Sequence, residues 1–279
     1  MNIELLSLAV DFYNEGNSMV KTAKEFHSNP NTLKKLFKEQ GIKIRNQQEQ
    51  LILENIKRTK QIDHYFFSIL NQVNSYYLGF FAADATVRKD RNEIKIGLSI
   101  IDKEFLIELK KYLKSEKEIK TYITNNGFEC CEFCFSSAQI KQDLAKYDIV
   151  PNKTYKGLSL DLIPDQFQLS FIKGFFDGDG SFVYNKETKQ CKVSFTSHTK
   201  NILEDIQKYF NSGNIYQDKR TGTYSLEFST HPSIEIMNKF YNIQTPFLKR
   251  KYQKYLDYLE LRNNFPRDKA PLIKDEKLC

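Results

Sequence analysis

Residues Tyr77–Val87 (YLGFFAADATV) and Ile172–Phe182 (IKGFFDGDGSF) are two copies of one pattern, and the aligned acids Asp84 and Asp179 lie 95 positions apart. A repeat of this length constrains the fold, because the same order of apolar, small and acidic residues must be buried the same way twice. The correspondence continues past the motif. Each copy leads into a polar hairpin and then a strand entering a helix, Asp102–Leu113 in one and Thr199–Phe210 in the other, with the first residues offset by 97. Turn residues then mark a second hairpin, Asn125-Asn126-Gly127 and Thr221-Gly222. A further helix ends at a stretch of proline and lysine, Pro151-Asn152-Lys153 and Pro246–Lys251, in which Lys153 and Lys251 are 98 apart. Offsets that drift this little reflect small loop changes. Each half therefore reads α-β-β-α-β-β-α, and the expected class is α+β. The halves are expected at 63–155 and 170–265, with 156–169, containing Pro164, joining them and 266–279 as a tail.

The first 46 residues have a different texture. Leu5, Leu6, Leu8, Ala9, Phe12 and Tyr13 recur with the period of a helix, Gly16 stops it, and Ser18 is placed to cap a second helix over Met19–Phe26. That helix is expected to turn Val20 and Ala23 inward and to expose Lys21 and Lys24. A turn, His27-Ser28-Asn29-Pro30, leads to a third helix, Asn31–Gln40, ended by Gly41. Short helix, tight turn and polar-fronted helix make a helix-turn-helix pattern. The run resembles the helix-turn-helix of resolvase-like and phage DNA-binding proteins, and Asn31, Thr32, Lys34 and Lys35 front the helix that would meet DNA. Residues 47–62 are polar and charged and read as a helical or extended linker.

The 42 Lys and Arg against 35 Asp and Glu leave a formal charge of +7, which suits a polyanionic partner. No segment approaches the roughly 18 apolar residues of a membrane span, and Met1-Asn2-Ile3-Glu4 lacks the form of a signal peptide. The expected setting is the cytoplasm of a bacterial or phage-infected cell, or an organelle, where cysteines stay reduced. Cys130, Cys131 and Cys134 fall in a stretch that reads as a strand. There Cys131 and Cys134 point to opposite faces, so no zinc site is expected.

The repeated motif carries the chemistry. Glycine in mid-helix costs about 1 kcal/mol relative to alanine, so Gly79 and Gly174 imply a compensating close approach of two helices, helped by Ala82, Ala83 and Gly178. Such packing brings the helix ends, and with them Asp84 and Asp179, together. Two adjacent carboxylates repel unless a cation joins them. Hard divalent cations take oxygen ligands and leave positions for water and phosphate, and metals about 4 Å apart can stabilise both the attacking and the leaving oxygen of a phosphodiester. Lys153 and Lys251 stand at equivalent places to balance the developing charge.

LGFFAADA and KGFFDGDGS resemble the two motifs of single-chain LAGLIDADG homing endonucleases, and the resemblance covers about residues 63–265. It implies a monomer that lays a saddle of two antiparallel sheets in the major groove of double-stranded DNA. It also implies that both strands are cut across the minor groove, leaving 3′ overhangs, with Mg²⁺ or Mn²⁺. Asp84 and Asp179 fall on the family's metal-binding acids and Lys153 and Lys251 on its active-site lysines. Ser197 falls near a position that orients water in some members, with Ile100 opposite, so unequal half-sites are expected. The first motif departs from the pattern at Ala82 and Ala85. Ala82 is expected to forfeit a contact between the helices, and Ala85 to strain the turn after Asp84. The alternatives are a non-cleaving transcription regulator built on the same domain, and an RNA intron maturase.

Strand alternation supplies the expected DNA-reading side chains. The first hairpin of each half offers Arg88, Lys89, Arg91 and Lys95, then Tyr184, Lys186, Lys189 and Lys192. The distal hairpins offer Lys120, Tyr122 and Asn125, then Tyr216, Lys219, Arg220 and Tyr224. Lys249 and Arg250 join this set. Arginine and lysine suit guanine edges, asparagine suits adenine, and the remaining lysines grip phosphate.

Overall fold

A computed structural model describes residues 3–59, 62–153 and 157–263. The expected tail, 266–279, lies outside the described residues. The chain divides after Ile62 into two units. Among the described residues no helix is long and apolar enough to cross a membrane.

The first unit holds helices α1 (Ile3–Asn14), α2 (Met19–Glu25), α3 (Pro30–Glu39) and α4 (Gln47–Thr59). Local chemistry sets the boundaries. Gly16 and Gly41 take positive φ after α1 and α3. The Ser18 side chain accepts from the Lys21 amide, Asn29 accepts from the Asn31 amide, and Pro30 opens α3. Ala9, Tyr13, Met19, Ala23, Leu33 and Phe37 form the core. Arg45 pins the end of α1, donating to the carbonyls of Tyr13 (2.8 Å) and Asn17 (2.7 Å) with its guanidinium over the Tyr13 ring. One expectation fails here. Val20 is 68% exposed, because the inward face of α2 is set by Met19 and Ala23, one turn apart. The stretch after residue 46 is helical in α4, and a reciprocal pair of hydrogen bonds between Asn46 and Glu49 starts it.

The second unit repeats one plan. Its first half runs α5 (Gln72–Asp84), β1 (Thr86–Val87), β2 (Glu93–Ser99), α6 (Lys103–Tyr112), β3 (Lys120–Ile123), β4 (Glu129–Ser136) and α7 (Ala138–Ala145). The second half runs α8 (Asp165–Asp179), β5 (Gly180–Tyr184), β6 (Cys191–Ser197), α9 (Asn201–Phe210), β7 (Asn214–Gln217), β8 (Tyr224–Phe228) and α10 (Thr230–Asn242). The sheets are antiparallel with matching orders, β1-β2-β4-β3 and β5-β6-β8-β7. The class is α+β in two like halves. The second half adds α11 (Lys249–Asn263), which the sequence reading does not contain. Its Tyr255 and Tyr258, three residues apart, bury against Phe182 of β5.

Helices α5 and α8 pack side by side, and their glycines make this possible. A Cβ on Gly79 would lie 1.9 Å from the Phe171 carbonyl oxygen, and one on Gly174 would lie 1.8 Å from that of Tyr76. The phenylalanines that follow turn away from the seam into separate cores. Phe80 meets Phe105 and Phe81 meets Phe67 and Phe135 in one half, while Phe175 and Phe176 meet Phe195 in the other. Cys131 is buried on the inner face of β4 and Cys134 lies half-buried on the outer face, and among the described residues no group of three or more His, Cys, Asp and Glu side chains could hold a metal.

Candidate active site

Asp84 and Asp179 are the last residues of α5 and α8. Their proximity follows from the glycine seam. A Cβ on Gly178, the residue before Asp179, would lie 3.2 Å from an Asp84 carboxylate oxygen and 2.3 Å from the Ala83 Cβ. Asp84 thus rests against the backbone of the opposite helix. Burial, and then the Asp179 charge, lift its carboxyl to about 6 against the pull of Lys251 and Lys153. Asp179 is also raised, first by the protein packed around it, although its side chain reaches solvent.

The two lysines cap the motif helices. Lys153 donates to the Ala83 carbonyl at 2.7 Å. Lys251 donates to the carbonyls of Phe176 (2.5 Å), Asp177 (2.8 Å) and Gly180 (2.7 Å). The Ala83 and Asp177 carbonyls are among the last of their helices, at the negative end of the helix dipole, while the Phe176 carbonyl also accepts the Gly180 amide and Gly180 opens β5. Burial lowers both ammonium groups, Lys251 to about 8; Asp179 and Asp84 pull Lys153 back up, and Asp177 foremost, then Asp84 and Asp179, pull Lys251. A cavity of about 130 Å³, room for several waters, opens beside Asp179 and is lined by Lys153, Ser197, His198 and Thr199, among others. Lys153 and Lys251, and least of all His198, favour the charged form of Asp179 against its burial; His198 stands beside Ser197 in this lining. It was not singled out from the sequence, where only its place beside Ser197 could have marked it.

The two departures of the first motif leave neither a stranded partner nor a strained turn. Asp177 accepts from the Tyr76 hydroxyl (2.6 Å) and from the Leu248 amide (3.1 Å). In the repeat, Ala82 stands where Asp177 does and Phe171 where Tyr76 does, so the acid and its hydroxyl partner are absent together. The amide of Val150, equivalent to Leu248, donates to the Asp148 carbonyl instead. Ala85 has φ −75° and ψ 138°, ordinary extended backbone, where strain had been expected.

The expected DNA-reading residues divide by partner. Asn31, Thr32, Lys34, Lys35, Lys89, Lys120, Tyr122, Lys186, Lys219 and Arg220 are exposed. Arg88 and Arg91 lie near Asp90 and Glu93 within their own turn. Lys95 pairs with Glu132, and Lys192 with Glu227. Tyr184 is half-buried against Tyr258, and the backbone carbonyl of Lys189 accepts from the Tyr258 hydroxyl. Lys249 and Arg250 depart furthest from expectation. They cross to the other half, where Lys249 meets Glu104 and the Arg250 Nε donates to both oxygens of buried Asp102. Together they tie the second half to the first.

Comparison with known proteins agrees with this architecture. A family model described as LAGLIDADG endonuclease matches residues 172–263, and one described as LAGLIDADG-like domain matches 71–130. An uncharacterized protein of Methanocaldococcus jannaschii is 28% identical over 187 residues, which are 62% of this chain and 63% of that protein. Among solved structures, the LAGLIDADG meganuclease I-AabMI bound to uncleaved DNA is 18% identical, with a TM-score of 0.50 over 70% of this chain and 91% of that one. The homing endonuclease I-LtrWI bound to target DNA is 16% identical, with a TM-score of 0.47 over 71% and 90%. The I-AabMI likeness is one of fold. With one copy of the repeated motif inside each matched segment, the chain belongs to the LAGLIDADG endonuclease family.

Proposed function

We propose that the protein is a site-specific, metal-dependent endonuclease that cuts both strands of duplex DNA as a single chain. The observation that carries this reading is that both motif acids are present and meet at the ends of two tightly packed helices, each helix end capped by a lysine. The donor set suits a hard cation. Among the described residues no third ligand completes a cage around the two carboxylates, which leaves most positions to water and to phosphate oxygens, as Mg²⁺ or Mn²⁺ prefers. The upward shift of both acids is what a divalent cation would relieve. Such a cation, when bound, would polarise the scissile phosphate and acidify an attacking water.

The chain's own residues would do the rest. Asp84 and Asp179 would hold the cation. Lys153 and Lys251 would add positive charge near the phosphate while keeping the helix ends fixed. Ser197 and His198, facing the cavity at Asp179, would orient water there. The outer faces of the two sheets would read the target, and Lys89, Lys120, Lys186, Lys219 and Arg220 would contribute mainly phosphate contacts. In the first unit, α3 with Asn31, Thr32, Lys34 and Lys35 would lengthen the footprint as the second helix of a helix-turn-helix.

The test is cleavage. Purified protein with Mg²⁺ should linearise plasmids carrying its site, drawn from a library of randomised inserts. Asp84→Asn and Asp179→Asn should each lower the rate by a factor on the order of 10³ while leaving binding in place. Cutting undiminished in both variants would end the proposal. Tight binding with no nicking by the unaltered protein would instead identify a non-cleaving DNA-binding regulator.

A further inference from the structure

The outer faces of the two sheets carry the same ion pair at the same place. In the first half, Glu132 of β4 stands opposite Gly97 of β2, and Lys95, two residues along β2 on the same face, pairs with it diagonally. In the second half, Glu227 of β8 stands opposite Ser194 of β6, and Lys192, again two residues along, reaches it at 2.9 Å. The lysines are 97 apart and the glutamates 95, the same offsets that relate the halves elsewhere. Their neighbours on these faces have diverged: Cys134 and Cys130 of β4 occupy positions held by Ser229 and Ser225 in the second half. The pair has not. The lysines are roughly half exposed and the glutamates less so.

A partly exposed pair of this kind adds little to stability. It is also an odd feature for a surface meant to meet phosphate, because each carboxylate repels DNA and cancels a lysine. Both objections vanish if the carboxylate meets a donor. In the major groove a G·C base pair presents two adjacent acceptors, guanine N7 and O6, and then a donor, the cytosine N4 amine. A lysine and a glutamate held side by side present the complement, a multiple donor next to an acceptor. An A·T pair does not match, since its donor is flanked by acceptors and its far edge carries the thymine methyl group.

Building on the proposed DNA-cleaving function, we propose that Lys95–Glu132 and Lys192–Glu227 are specificity elements, each reading one G·C base pair, at corresponding places in the two half-sites. The lysine donates to guanine N7 and O6, and the glutamate accepts from the cytosine amine of the same base pair.

The experiment is binding selection. The full-length chain, in buffer with chelator at one fixed salt concentration, is used to enrich duplexes from a randomised pool, and the bound fraction is sequenced. The same is done with Glu132→Gln and Glu227→Gln, which keep the side-chain shape. The unaltered protein should enrich a site with two G·C positions at about equal distances from its centre. Each variant should weaken the preference at one of them roughly tenfold, the discrimination a well-formed base contact provides, and leave the other intact. A variant that shifts affinity evenly across all sequences, or leaves every preference as it was, overturns the inference while the nuclease reading stands. A pool from which the unaltered protein enriches nothing removes sequence-specific binding itself, and the inference with it.

Discussion

The two halves share a plan but solve the same seam differently. On the α8 side, the helix interface is polar: Asp177 takes the Tyr76 hydroxyl and the Leu248 amide, and buried Lys173 donates to the Thr245 hydroxyl at 2.8 Å. On the α5 side, the equivalent positions are Ala82, Phe171 and Leu78, all buried and apolar. A motif that looks eroded in sequence is therefore a complete exchange. Removing only the acid would strand a buried hydroxyl, whereas removing acid and hydroxyl together is nearly neutral. The tie between the halves follows the same logic. Arg250 reaches Asp102, but Asn152 and Thr199 hold the equivalent places, so the halves are joined by salt bridges on one side.

The largest test of this comparison addresses what the halves still share. Gly79 and Gly174 face each other's helix backbone with no room for a methyl group. The obstruction is a carbonyl rather than a flexible side chain, so the helices must separate. Gly79→Ala and Gly174→Ala should each destabilise the second unit by at least ~3 kcal/mol in chemical denaturation, since overpacking against rigid backbone has no cheap relaxation. If only one of the two variants is affected, the seam is not symmetric after all.

The next test separates the two solutions. Asp177→Ala alone leaves the Tyr76 hydroxyl and the Leu248 amide buried without partners and should cost ~1–3 kcal/mol. The double variant Tyr76→Phe with Asp177→Ala copies the first half's pair and should recover ~1 kcal/mol of that loss in a double-mutant cycle. Additive losses would mean that the two side chains do not act as a pair.

These contacts also mark what a sequence can disclose. The repeat was legible because both halves had to bury the same helix face, and the hairpin turns were legible because Gly127 and Gly222 stand at positive φ. The pairing of Asp84 with Asp179 could be anticipated from two glycines that helices otherwise avoid. Helix α11 was not legible, because its run of charges hides an inward stripe that only the neighbouring Phe182 explains. The partners of Lys95, Lys192, Lys249 and Arg250 were equally hidden, since each depends on strand register or on a contact about 150 residues away in sequence, as in Arg250 with Asp102. A basic residue reads as unpaired until its carboxylate is located.

The smallest expected effect concerns Lys173, the buried cation on the polar side. Burial lowers its ammonium to about 8, against the pull of Asp177 and Glu108, while the unfolded chain holds the proton to about 10.5. Between those values the unfolded state binds more protons, so the folded state gains as pH rises. Below about 8 the side chain is charged in both states and carries its full penalty, softened by the rings of Tyr76, Tyr241 and Phe247, 5.3–5.8 Å away. Lys173→Leu, which copies Leu78 of the other half, removes the slope. Unfolding measured in both proteins from pH 7.5 to 9.5 should show their stability difference narrowing by about 1 kcal/mol toward the alkaline end. Comparing the two proteins cancels the tyrosines that titrate nearby. A constant difference across that range would mean that the aromatic cage keeps Lys173 charged, and that the polar half of the seam holds a permanent buried cation.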